Sequence, residues 1–127
     1  MELSLNMGIE KQFFQDEFKG ILLDILQDAL FNSPEGSRRH DILKSILDAN
    51  ESKFEPERER SRVKKELKNL KRFRPEQFGN NFVFVEGKKH YKFDYYGDRR
   101  YRITVAKTPS DSRSMINLAQ SVIRMIY

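Results

Sequence analysis

The stretch Gly87–Val105 constrains the fold more than any other part of the chain, because it contains two runs that alternate between apolar and polar residues. Successive residues of a β-strand point to opposite faces of a sheet, so this alternation predicts two strands that share one apolar face. Gly97 and Asp98 separate the two runs and predict the turn of a hairpin. The predicted apolar face carries Tyr91, Phe93, Tyr95, Tyr101, Ile103 and Val105, and the opposite face carries His90, Lys92, Asp94, Arg100, Arg102 and Thr104.

Charge is distributed unevenly along the chain. The 127 residues carry a formal net charge of +5, yet residues 1–33 hold six acids and only two lysines. Nine basic and two acidic residues fall within Arg58–Arg74, and eight basic and three acidic residues fall within Lys88–Arg113. Such clusters are typical of surfaces that bind phosphates, so we expect a nucleic-acid partner. A solvated basic surface without a partner is the alternative.

Composition argues against several other classes of site. The absence of cysteine excludes disulfides and thiolate metal ligands, and two histidines are too few to favour a structural zinc site. The glycines at 79, 87 and 97 stand singly at predicted turns, so no phosphate-binding loop and no cofactor is expected. No apolar run approaches the roughly 20 residues that cross a bilayer, and no signal-peptide pattern is present. These features predict a cytoplasmic protein with no membrane partner and no metal.

The first part of the chain predicts helices. Residues 8–32 have apolar residues at steps of three and four, which predicts a long amphipathic helix. Gly20 lies inside this segment and disfavours an unbroken helix. The apolar stripe is wide, so the helix must pack against its own domain or against a second copy of the chain.

A second, shorter helix is predicted after the break that Pro34 and Gly36 introduce. Ser37 can cap this helix, and the apolar pattern closes at Asn50. His40 falls in its first turn and is expected to be a surface residue. We therefore predict a helical N-terminal segment over residues 1–56.

The order of elements from residue 57 onward predicts a compact second unit. A third helix runs from about Glu57 to Arg72, and strands follow at Phe82–Glu86, His90–Tyr95 and Arg100–Ala106. The strand Phe82–Glu86 is apolar on both faces, which predicts a central or covered position. Thr108, Pro109 and Asp111 form a typical helix start, so a capped amphipathic helix should close the chain.

The predicted fold class is therefore α+β. Two N-terminal helices precede an α-β-β-β-α unit, in which a three-stranded antiparallel sheet packs on helices. The unit covers residues 57–127, and its order is that of the double-stranded-RNA-binding fold.

Three segments of this unit carry a resemblance to a known family. Val63–Leu70, Gly87–Tyr91 and Tyr101–Val105 resemble the HicA family of toxin–antitoxin mRNA interferases. The closing segment that begins at Lys107 is also similar to small phage-type proteins related to that fold. The resemblance covers about residues 57–127 and implies a metal-independent endoribonuclease, with His90 in the position of the family's catalytic histidine.

The residues themselves give an independent reason to consider His90. A histidine titrates near neutrality and can accept a proton from a 2′-hydroxyl, while neighbouring cations stabilise the phosphate. Contact with a phosphate or base, or no role at all, are the alternatives for this side chain. Tyr96 is the tyrosine expected to remain exposed for stacking on a base. The predicted nucleic-acid-binding residues are Arg60, Lys64, Lys68, Lys71, Lys88, Lys89, Lys92, Arg100 and Arg102.

Three functions of different classes follow from these features. The first is nucleic-acid binding, with RNA favoured over DNA and with RNA cleavage as an extension. The second is a winged-helix DNA-binding regulator, with helix 57–72 as the recognition helix and 88–105 as the wing. The third is a non-enzymatic interaction module, whose acidic N-terminal helix pairs with an antitoxin-like partner or with a second copy.

Overall fold

The computed structural model describes residues 2–68, 81–106 and 112–127. These residues form the helices α1 (Glu17–Phe31), α2 (Arg38–Ala49), α3 (Pro56–Lys68) and α4 (Ser112–Ile126), and the strands β1 (Phe82–Glu86), β2 (His90–Tyr95) and β3 (Arg102–Ala106). The order confirms the predicted α+β class, with two N-terminal helices before an α-β-β-β-α unit. The chain divides into two compact units, Met1–Pro56 and Glu57–Tyr127.

Helix α1 of the first unit is shorter than predicted. It begins at Glu17, and Asp16 before it has the left-handed φ of 67°. The Asp16 carboxylate accepts a hydrogen bond from the backbone N–H of Lys53 at 2.9 Å, and the Phe14 ring meets the Phe54 ring edge to face at 4.9 Å. The predicted helix start at residue 8 is therefore wrong, because these contacts hold the segment before α1 against the segment after α2.

Helix α2 begins at the predicted cap. The Ser37 hydroxyl oxygen accepts the N–H of His40 at 3.2 Å, and helix α2 packs against α1. His40 is only half-exposed, and its Nδ1 is buried with no hydrogen-bond partner among the described residues. His40 is therefore not the surface residue that its position in the sequence predicts.

The sheet of the second unit is antiparallel, and β2 lies between β1 and β3. Phe93 of β2 lies opposite Phe84 of β1 and Ile103 of β3, so these three side chains share one face. Helices α3 and α4 contribute the residues that bury the centre of this face. The buried cluster contains Val63, Phe93, Ile103, Val105, Leu118, Ala119 and Val122.

Strand β1 differs from its predicted position. Its place at an edge of the described sheet excludes a central one, because the hairpin order leaves β2 in the middle. Val83, Phe84 and Val85 are 50%, 45% and 41% exposed. The apolar character of both faces of β1 therefore does not reflect burial.

The connection between β2 and β3 is longer than the sequence predicts. The N–H of Asp98 donates to the Tyr95 carbonyl at 3.0 Å, and Tyr96 and Gly97 have φ values of 51° and 75°. Two positive φ values define a type I′ turn, which suits the twist of a hairpin. A single 3-10 turn follows at Arg99–Tyr101, so β3 begins at Arg102 rather than at Arg100. Strand β3 starts later because the Asp98 carboxylate accepts a hydrogen bond from the backbone N–H of Arg100 at 3.0 Å.

Some predicted features fall on other parts of the chain. The predicted end of the third helix at Arg72 and the predicted cap at Thr108–Asp111 lie outside the described residues. Among the helices of the described residues, none is both long enough and apolar enough to cross a membrane.

Gly20 is the buried residue of α1, and it generates a prediction. A Cβ at this position would lie 2.3 Å from the Phe54 carbonyl oxygen and 2.7 Å from the Phe54 ring. Ala usually stabilises a helix interior by about 1 kcal/mol over Gly. Here, however, the overlap would push the backbone of α1 and the backbone at Phe54 apart. We expect Gly20→Ala to destabilise the protein by about 2 kcal/mol in thermal unfolding followed by circular dichroism.

The matched control introduces Ala at an exposed position of the same helix. Gln27→Ala should change stability by no more than about 0.5 kcal/mol, because Gln27 faces solvent. A Gly20→Ala variant as stable as the wild type would contradict the close approach.

Candidate nucleic-acid interface

The turn between β1 and β2 presents consecutive basic side chains to solvent. The N–H of Gly87 donates to the His90 carbonyl at 3.0 Å, which closes the turn. Lys88, Lys89 and His90 are all exposed. Strand β2 then alternates, so that His90 and Lys92 lie on the sheet face opposite the helices, which we call the outer face.

Four of the predicted lysines carry charges that no described residue neutralises. Within the part of the chain that the structure describes, no ion pair involves Lys64 of α3, Lys88, Lys89 or Lys92. The first three of these side chains are exposed, and Lys92 is half-buried on the outer face. An ammonium group without a protein partner can neutralise a ligand phosphate without first breaking an internal bond.

Arg102 is held by an internal partner. Its Nε and Nη2 donate to the two carboxylate oxygens of Asp94 at 2.7 and 2.8 Å, directly across the β2–β3 pair. Among the described residues, Asp94 is the charged residue that is buried, with 4% exposure. The hydrogen bond from Arg102 lowers the pKa of Asp94, and the same bond raises the pKa of Arg102. The pair is bidentate, with the Asp94 side chain 6% exposed and the Arg102 side chain 26% exposed, so the charge of Arg102 is balanced within the fold.

Arg100 is likewise engaged with a neighbour. Its Nε lies 3.1 Å from both Asp98 carboxylate oxygens, and its Nη2 lies 2.7 Å from one of them. The guanidinium also stacks over the Tyr101 ring, 5.1 Å from the centroid. The hydrogen bonds from the Arg100 side chain and backbone lower the pKa of Asp98. Arg100 therefore stabilises the connection between β2 and β3.

Arg60 and Arg62 of α3 are also paired with carboxylates of the protein. Arg60 bonds to Glu57 at 2.8 Å and also donates to the carbonyl oxygen of Tyr127. Arg62 lies between Glu59 and Glu66, with N–O distances of 3.0 Å to each. Burial is the largest single effect and lowers the pKa of Arg62, but the hydrogen bond to Glu59 together with the charges of Glu59, Glu66 and Tyr127 raises this pKa above its ordinary value. The helix thus neutralises much of its own positive charge.

His90 stands exposed at the start of β2. Among the described residues, no side chain forms a hydrogen bond with its imidazole, so no described group orients it or completes an acid–base pair. The two turn lysines directly precede it in the sequence. The arrangement can contact a phosphate or a 2′-hydroxyl directly.

The aromatic side chains of β2 and the hairpin turn lie away from the outer face. Tyr95 is buried and Tyr91 is half-buried against the core, as expected. Tyr101 is half-buried under Arg100, and Tyr96 is half-buried with its ring edge to face with Tyr95 at 4.9 Å. Tyr96 is therefore less exposed than the sequence predicts. The outer face of the described strands carries valine, lysine, threonine, histidine and the Asp94–Arg102 pair, without tyrosine or phenylalanine.

The remaining predicted residues lie elsewhere. Lys71 and the side chain of Lys68 lie outside the described part of the chain. The structure therefore brings Lys88, Lys89, His90 and Lys92 together along one turn and strand, and it places Lys64 on α3.

The internal ion pairs are what sequence reasoning missed. The alternation places Asp94 and Arg102 on the same polar face of the hairpin, and the hairpin register could have paired them.

No match was found among protein-family models, curated proteins or solved structures. The resemblance to the HicA family stays a prediction.

The Asp94–Arg102 pair generates a stability prediction. Removing the guanidinium leaves a buried carboxylate without its partner, so Arg102→Gln should lower the urea concentration at the midpoint of unfolding. Because the pKa of Asp94 is lowered in the folded state, its contribution is complete above its ordinary pKa of 3.8. The contribution should be lost as pH falls through the lower, folded pKa.

The control is the double variant Asp94→Asn/Arg102→Gln, which removes both charges and keeps the shape. It should recover part of the loss at neutral pH, and its stability should fall less than that of the wild type on acidification. Identical acid sensitivity in the double variant and the wild type would contradict the role of Asp94.

Proposed function

We propose that the chain binds RNA, with the Lys88–His90 turn as the centre of the contact. The observation that carries the proposal is that this turn presents two exposed lysines and a histidine without internal ion pairs among the described residues. Lys92 continues the contact along β2, and Lys64 adds a cation on α3. Phosphate neutralisation by such side chains supplies most of the affinity in sequence-independent binding.

The composition of the outer face favours a duplex over a single strand. Proteins that bind single strands provide aromatic rings on which bases stack. The described outer face lacks tyrosine and phenylalanine, and the rings of β2 point to the core side. A duplex is recognised instead through phosphates and 2′-hydroxyls, which lysine and histidine can reach.

The winged-helix alternative receives less support from α3. A recognition helix needs cations that are available to the groove, whereas Arg60 and Arg62 are bonded to glutamates of the same helix. Duplex DNA nevertheless belongs in the binding test as a competing ligand.

The salt dependence of binding tests the proposal. Affinities of the full chain for labelled duplex RNA, duplex DNA and single-stranded RNA of one sequence are measured by fluorescence anisotropy across a salt series. We expect the tightest binding to duplex RNA. Lys88→Gln/Lys89→Gln should weaken it and reduce the slope of log affinity against log salt by about 2, because each substituted lysine no longer neutralises a phosphate.

The matched control removes two charges from the first unit. Lys11 and Lys19 are exposed there, and Lys11→Gln/Lys19→Gln should leave the slope unchanged within about 0.5. If the two double variants weaken binding equally, the Lys88–His90 turn is not the contact, and binding depends only on the net charge of the chain. Tighter binding to duplex DNA would favour the winged-helix alternative.

A second candidate function is RNA cleavage by His90. The observation in its favour is the exposed imidazole beside Lys88 and Lys89, in the position that the HicA resemblance assigns to a catalytic histidine. The imidazole would accept the proton of a 2′-hydroxyl as its oxygen bonds to the adjacent phosphorus, and the bond from phosphorus to the 5′-oxygen would break, with water giving that oxygen its proton. The lysines would stabilise the charge that develops on the phosphate.

The cleavage assay separates this candidate from binding alone. Under the nuclease hypothesis, the wild type cleaves RNA in the presence of EDTA, and His90→Gln abolishes cleavage while affinity changes by no more than about threefold. Cleavage that survives His90→Gln excludes His90 as the base. Intact RNA in the wild-type sample at saturating protein refutes the nuclease and leaves the binding proposal standing.

A further inference from the structure

Strand β1 exposes apolar side chains at an edge of the sheet that the described residues form. Val83, Phe84 and Val85 are 50%, 45% and 41% exposed, and they stand next to each other in the strand. An edge strand offers backbone donors and acceptors to another strand, and folded proteins usually protect it with charges, proline or a bulge. The segment Val83–Val85 contains neither a charged residue nor proline.

The opposite edge of the same sheet is different. On β3, Ile103 and Val105 are 4% and 7% exposed, so its apolar side chains belong to the core. The alternating positions are polar, with Thr104 exposed and Arg102 bonded to Asp94. Exposed apolar character is therefore a property of β1 among the described strands, and it does not extend to both edges.

We propose that β1 pairs antiparallel with β1 of a second copy of the chain. The segment is self-complementary about Phe84: Phe84 would lie opposite the partner's Phe84, and Val83 opposite the partner's Val85. Both outer-face valines would gain an apolar neighbour, and the Phe84 rings would meet on the helix side. A twofold axis through Phe84 makes the contact isologous, the arrangement that closed dimers use.

The charge distribution is compatible with this pairing. The five residues of β1 span about 17 Å. In the antiparallel arrangement, the Lys88–Lys89 turns of the two copies lie at opposite ends of the paired strands, so their charges do not meet. One pair of short strands makes a contact smaller than a standard interface. The dimer should therefore be weak and should form only as the protein concentration rises. The pairing does not depend on the proposed RNA binding.

Sedimentation velocity on the full chain tests the proposal. The average mass should rise from 15.1 kDa toward twice that value between low-micromolar and submillimolar protein. Val83→Lys should weaken the dimer by about tenfold or more, because the charge enters the strand contact in both copies. Thr104→Lys is the matched control, since it adds the same charge to the same face at the other edge, and it should leave dimerisation unchanged.

Cross-linking tests the register. The natural chain has no cysteine, so an introduced thiol is the single thiol of each copy. A mixture of Val83→Cys and Val85→Cys should oxidise to a mixed disulfide dimer, because the two positions face each other across the axis. A mixture of Val83→Cys and Thr104→Cys should not.

Three results would overturn the pairing. The first is a wild-type chain that stays monomeric at every concentration, and the second is an equal effect of Val83→Lys and Thr104→Lys. The third is a dimer that resists Val83→Lys but is abolished by Leu5→Lys. Leu3, Leu5 and Ile9 are 81%, 68% and 93% exposed, and that result would assign the contact to the N-terminal segment instead. Thermal unfolding of each variant establishes that it is folded.

Discussion

The second unit depends on the burial of Phe93 at the centre of the sheet. Its side chain is 2% exposed, and β2 pairs with a strand on each side of it. Val63 of α3 and Val122 of α4 belong to the same buried cluster, so both helices are fixed against one face. Because strand residues alternate, burial of Phe93 determines which residues of β2 remain on the outer face. The position of Lys92 and His90 is therefore a consequence of core packing.

The outer face also contains a feature that costs free energy by itself, a buried carboxylate. Asp94 is adjacent in sequence to Phe93 and lies under the fork of Arg102. Burial of a charge costs free energy unless a partner offsets it, and the bidentate geometry provides that partner. A slip of one residue in the β2–β3 register would turn the core residues of one of the two strands to the outer face and would separate Asp94 from Arg102. The pair thus stabilises the same register that the core requires.

Sequence periodicity predicts which helices and strands form, but it does not predict which residues each of them contacts. Alternation locates β2, and the Ser37 hydroxyl marks the start of α2, because both signals are local. Periodicity misplaces the start of α1 because Asp16 and Phe14 contact residues far away in sequence, Lys53 and Phe54. The clusters of charge give the number of cations in a segment, but which of them are already paired depends on side-chain geometry. The edge position of β1 is not predictable from composition, since exposed and buried strands can be equally apolar.

Arginine and lysine side chains have different partners in the second unit, and this difference has a consequence for ligand recognition. In the described part of the basic unit, Arg60, Arg62, Arg100 and Arg102 are held by carboxylates, whereas the turn presents lysines. A guanidinium fork reads the shape of its partner, while an ammonium on a flexible stem responds mainly to charge. If the chain binds RNA as proposed, a ligand held by such lysines would shift along its own backbone at little energetic cost, because contacts to phosphates carry no sequence information. Selectivity among ligands would then arise from abundance and helical form, not from nucleotide order.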